Sequence, residues 1–148
     1  MNIFVSKCIE IFANTTLHYH KFDNIDAKPE NPYQAGTIED VLFRKNWIDA
    51  VQWHMEDIIR DPNIDPVDAL ALKRRIDKSN QDRTDLVEDI DTYFRDLYKD
   101  VVPSADATIN TESPAWAVDR LSILALKIYH MEQEVKRTDA APEHIARC

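Results

Sequence analysis

Apolar positions recur at helical spacing along most of the chain, most densely in Thr37 to Arg60, TIEDVLFRKNWIDAVQWHMEDIIR. At about 100° per residue, Val41, Ile48, Met55 and Ile59 form one apolar stripe. Phe43, Trp47, His54 and Ile58 form a second side, and Leu42, Asn46, Asp49, Trp53, Glu56 and Arg60 a third, mixed one. Thr37 is placed to cap the start, with Asp40 at the capping-box position and Glu39 at the positive end of the helix. Asp61-Pro62 ends it. A helix with large apolar groups on several sides is buried on several sides. This stretch is therefore predicted to be a central helix that takes polar groups into the interior.

The same spacing predicts three further long helices. The first covers about Asn2 to Phe22, on Val5, Cys8, Ile9, Phe12, Thr16 and Tyr19. His18, His20 and Lys21 suit its negative end, and a His-x-His pair points apart on a helix, so it makes a weak metal signal. Asp23 to Gly36 is a loop with two prolines and the only glycine. The third helix opens at Asp65-Pro66, a cap followed by proline at the first helical position, and runs to about Tyr98. Its apolar stripe is Leu70, Ile76, Leu86, Val87, Ile90, Phe94 and Leu97, interrupted by DKSNQDRTD. Within that interruption Ser79, Asn80 and Arg83 keep to the side of the stripe, which implies an exposed section or a polar layer in the core. Lys99 to Ser113 is a long connection with little apolar content. The fourth helix starts at Ser113-Pro114 and ends near Thr138, with Ala117, Leu121, Leu124, Ile128, Met131 and Val135 as its expected core stripe. Pro142 then opens a fifth helix, EHIARC, which is expected to be cut short where the chain ends.

The predicted fold is all-α: an antiparallel bundle of four main helices plus that fifth, in a single domain over residues 1–148. Composition narrows the rest. One glycine in 148 residues rules out glycine-rich phosphate loops. A net charge of -9 argues against nucleic acid as a partner. No apolar run reaches the roughly 20 residues of a membrane span, and no secretory leader is visible. Cys8 and Cys148 make no disulfide framework, so a cytoplasmic home is expected.

Two constellations suggest chemistry. The first is cationic and aromatic: Arg83 on the core side of the third helix, Arg120 and Lys127 along the fourth, and the free N–H groups at Ser113. Trp53, with Trp47 and Trp116, offers stacking walls. The functional reading is an interhelical pocket for a small anionic, phosphate-bearing ligand, lined by Asn46, Asp49, Trp53, Asn80, Arg83, Ser113, Arg120 and Lys127. The alternative is that Arg83 and Arg120 pair with Asp49, Glu56 or Asp119 inside the bundle, in a homodimeric interaction module whose polar layer only fixes helix register. The second constellation is Glu88-x-x-Asp91, similar to the paired acids with which all-α nucleotide pyrophosphohydrolases hold Mg²⁺, but without a glutamate-rich partner on the preceding helix. No Glu-x-x-His pair or His/Cys cluster points to another metal, and catalytic residues are not assigned.

At NWIDAVQWHMEDIIRDP, LKRRIDKSNQDRTDLVEDID and NTESPAWAVDRLSILALKIYHMEQE the chain resembles the bacterial DUF4254 family, a helical domain of unknown function. That resemblance implies an all-α fold and supplies no activity or catalytic residues. It also implies a further long helix after EHIARC.

Overall fold

The computed structural model describes residues 3–147. It contains five helices: α1 (Ile3–Phe22), α2 (Ile38–Ile59), α3 (Pro66–Leu97), α4 (Pro114–Val135) and the short α5 (Pro142–Ile145). No strand occurs among the described residues. The caps are those the sequence announced. Thr37 accepts from the Asp40 N–H at 3.3 Å, and Asp65 accepts from the N–H groups of Val67 and Asp68. Ser113 instead turns its hydroxyl to Asp91, at 2.9 Å.

The other three long helices, α1, α3 and α4, pack around α2, which touches each of them. α3 runs antiparallel to α2: Asp49 meets Arg83, while further along α2 Gln52 meets Ser79. It is antiparallel to α4 as well, through Arg83 with Asp119 and Asp91 with Ser113. α1 lies parallel to α2, because Lys7 meets Glu39, Thr16 meets Asn46 and Tyr19 meets His54 in the same order along both helices. The chain returns between α1 and α2 through residues 23–37, pinned by Arg75 on Ile25 and Asp26 and by Asn31 on Asp40. The core is formed by Cys8, Ile11, Phe12, Tyr19, Leu42, Phe43, Trp47, Ala50, Val87, Ile90, Ala115, Val118 and Leu126. A smaller cluster of Met55, Leu72 and Ile76 joins α2 to the first half of α3.

The expected stripes were corrected at three places. On α1, Val5 and Ile9 are exposed and the face has turned to bury Ile11 and Thr15. On α3, Leu70 and Leu97 are exposed, because this 32-residue helix outruns the 22-residue α2 by about 15 Å. On α4 the correction is largest, and of the expected stripe Leu121 alone packs against the core. Leu124, Ile128, Met131 and Val135, expected in the core, are each between 42% and 51% exposed. The buried face is Ala115, Val118, Ser122 and Leu126, on the opposite side of the helix.

Candidate functional site

The bundle interior holds a layer of charge. Lys45 and Asp49 stand one turn apart on α2, and both side chains are fully buried. Lys45 Nζ donates to Asp49 Oδ2 at 2.5 Å and lies 2.7 Å from Asp119 Oδ1 on α4. Arg83 on α3 donates through Nε to Asp49 Oδ1 at 2.5 Å and through Nη2 to Asp119 Oδ1 at 3.3 Å. Two cations thus face two carboxylates. Isolated, any one of these charges would cost several kcal/mol to desolvate; in this arrangement each has an opposite charge in contact.

A chain of hydrogen bonds through the uncharged side chains Ser122, Asn46 and Thr16 extends the layer to α1. Ser122 Oγ donates to Asp49 Oδ2 at 2.6 Å and accepts from Asn46 Nδ2 at 3.0 Å. Asn46 Oδ1 accepts from Thr16 Oγ1 at 3.0 Å. The donors run one way, Thr16 to Asn46 to Ser122 to Asp49, which fixes the Asn46 amide orientation. All four long helices therefore contribute, and sliding any one by a turn would strand a buried polar group.

A cavity of about 230 Å³ opens beside this layer, lined by Asp49, Gln52, Trp53, Glu56, Arg60, Arg83 and Ile123. Asp49, Arg83 and Trp53 are three of the residues expected there. Asn46 is fully buried one step behind, in the hydrogen-bond chain. The other four are not brought to it. Asn80 is exposed and accepts from Gln52 Nε2 at 2.8 Å. Ser113 is bonded to Asp91. Arg120 forms a fork with Glu112, both contacts 2.6 Å, at the surface. Lys127 is on the outer face of α4. The three expected cations therefore do not converge, and Arg60 takes the place of Arg120 and Lys127 at the cavity.

Sequence reasoning missed Lys45 and Ser122, and it named Asp119 only as a partner of Arg83 in the alternative reading, a pairing that is present here. Lys45 had a readable signal: it sits four residues before Asp49, beside the mixed side of α2. Ser122 had none, because assigning the apolar stripe of α4 to the core turned it away.

A second cavity, about 500 Å³, lies between the C-terminal halves of α1, α2 and α4, with His20, Asp23, Trp53, His54, Asp57, Tyr129 and His130 on its walls. His54 Nδ1 is 2.8 Å from the Tyr19 hydroxyl, and His20 Nδ1 donates to the Thr16 carbonyl at 2.7 Å. His130 stacks on Trp53, rings 4.7 Å apart and 9° from parallel. Its Nε2 is buried without a hydrogen-bond partner. Burial first, then the neighbouring His20, push its pKa below the ordinary value of 6.5. Among the described residues no three His, Cys, Asp or Glu side chains are grouped to hold a metal ion.

Fold and site together define a helical bundle with a polar layer threaded through its core. A family model described as a protein of unknown function (DUF4254) matches residues 39–148, and the chain belongs to that family. The matched span includes every charged member of the layer. No curated protein and no solved structure matches the chain.

Proposed function

We propose that this domain binds a small organic acid, a carboxylate or a phosphate monoester, in the cavity beside the buried charge layer. The observation behind this reading is the state of Arg83. Its Nε and Nη2 are held by Asp49 and Asp119, while the residue also lines a cavity shared with Arg60 and Trp53. A guanidinium fixed from behind keeps donors for an acid at little further entropy cost. Arg60, which also bonds Asp57 and lies 3.8 Å from Glu56, supplies a second cation, and Trp53 an aromatic wall. At about 230 Å³ the cavity lies below the roughly 300–1,000 Å³ usual for larger ligands, which favours an acid smaller than a nucleotide. Among the described residues no helix is long and apolar enough to cross a membrane, and a cytoplasmic setting with a small-molecule partner and no nucleic acid accords with the acidic composition.

A thermal-shift screen of small carboxylates and phosphate monoesters, with and without Mg²⁺, tests the reading. A ligand at 100 times its Kd stabilises by about 2.7 kcal/mol. The shift is expected to vanish in Arg60→Gln, with the fold intact, since the Arg60 side chain is 69% exposed in the wild type. No shift with any acid would sink it.

One observation favours a second reading, an interaction module without catalysis: the charges of the layer balance, and its members are bonded to one another. On that reading the layer sets helix register and the cavity is incidental. The Mg²⁺-dependent pyrophosphohydrolase reading gains no support. Glu88 is exposed, and Asp91 is bonded to Ser113.

A further inference from the structure

The outward face of α4 has the spacing of a coiled-coil seam. Ala117, Leu121, Leu124, Ile128, Met131 and Val135 follow steps of four and three residues through the helix. Leu121 is partly buried against the core, but Leu124, Ile128, Met131 and Val135 are about half exposed. With Lys127, Glu132 and Lys136 they line a shallow groove of about 480 Å³. The segment after α4 leaves this groove open. It folds to one flank, where Arg137 and His144 both bond Glu134 Oε2.

We propose that the occupant is a second copy of this chain, with the two α4 helices packed antiparallel about a two-fold axis. The seam is self-complementary in that arrangement. Leu124 of one copy meets Val135 of the other, and Ile128 meets Met131, so each layer between Leu124 and Val135 pairs two apolar side chains. In an antiparallel pair each flank faces the same flank of the other helix. Lys127 and Glu134 share a flank, so each Lys127 faces Glu134 of the second copy. Lys127 has no ion pair of its own among the described residues, and Glu134 keeps Oε1 clear of its two partners. A parallel pair would set Lys127 against Glu132 of the second copy instead, but would align the two helix dipoles, which the antiparallel course opposes favourably. The inference is independent of the ligand reading, because the cavity at Arg83 lies on the inner side of α4.

Sedimentation equilibrium of the whole chain tests it. The expected mass is twice 17.2 kDa, and Ile128→Asp is expected to weaken self-association by at least about 100-fold. Circular dichroism should show the helix content of that variant unchanged, since Ile128 is half exposed and belongs to neither core cluster. Register is read in a Cys148→Ser background, where buried Cys8 does not react. Leu124→Cys/Val135→Cys should give disulfide-linked dimers, and Leu124→Cys alone should not. Three results would overturn the proposal: a single-chain mass up to about 100 µM, a dimer indifferent to Ile128→Asp, or efficient cross-linking of Leu124→Cys to itself. A monomer that binds phosphatidylglycerol vesicles through this face would make lipid, not a second copy, the occupant.

Discussion

The two faces of α4 reverse the usual arrangement. Its inner face brings Asp119 and Ser122 into the bundle, and its outer face exposes Leu124, Ile128, Met131 and Val135. The difference is one of partners. Asp119 is admitted to the interior because Lys45 and Arg83, from two other helices, neutralise it there. The outer leucine and isoleucine find no such neighbour within the chain. Orientation in a helical bundle is set by which face can be satisfied, and polarity along one helix does not reveal it.

The comparison is broken most severely at Asp49. Asp49→Ala leaves Lys45 and Arg83 with Asp119 alone between them and removes the acceptor of Ser122. A loss of about 3–5 kcal/mol is expected from urea denaturation. Lys45→Met comes next, at about 3 kcal/mol, because two carboxylates then share one arginine. It sharpens the comparison when combined with Asp119→Leu, which removes one charge of each sign. The double variant should be more stable than the sum of the singles predicts, with a coupling of about 2 kcal/mol. Strict additivity would mean the layer does not act as a unit.

Smaller effects follow at the edges. Ser122→Ala deletes a donor to Asp49 and an acceptor for Asn46, and should cost about 1–3 kcal/mol. His130 is the counter-example to Lys45: a buried base with no carboxylate in contact. Its pKa is lowered, by burial first and then by His20, so the unfolded chain takes up the proton before the folded one does as the solution is acidified. The associated stability is present above 6.5 and is lost as pH falls through the lower folded value, with Asp23, Asp57 and Glu134 opposing the shift. His130→Phe keeps the stack on Trp53 and cannot titrate. Its melting temperature should fall less between neutral and mildly acidic pH than that of the wild type. Arg120→Ala should change nothing measurable in stability or in ligand-induced shifts, since its fork with Glu112 is at the surface. A lost ligand shift in that variant would return Arg120 to the site.

Much of the fold was legible in residue order. The 3.6-residue period, Thr37, Asp65-Pro66 and Ser113-Pro114 located all four long helices, because capping and period are local physics. The polar interruption of α3 at Ser79 and Arg83 was legible too, as was the placing of Asn46 and Asp49 inside α2. Asn80, Arg120 and Lys127 were misplaced because a wheel gives relative angles within one helix and no origin. The rotation of α4 about its axis, which decides whether Asp119 or Arg120 faces inward, depends on Lys45 and Arg83, carried by other helices.

The sequence by itself thus determined the elements, their limits and the existence of buried polar positions, each a property of a few neighbouring residues. Only the tertiary structure decided the parallel course of α1 beside α2, the facing of α4, and the meeting of Lys45, Asp49, Arg83 and Asp119. Those features follow from desolvating charge, which is tolerable only where groups distant in the chain arrive together.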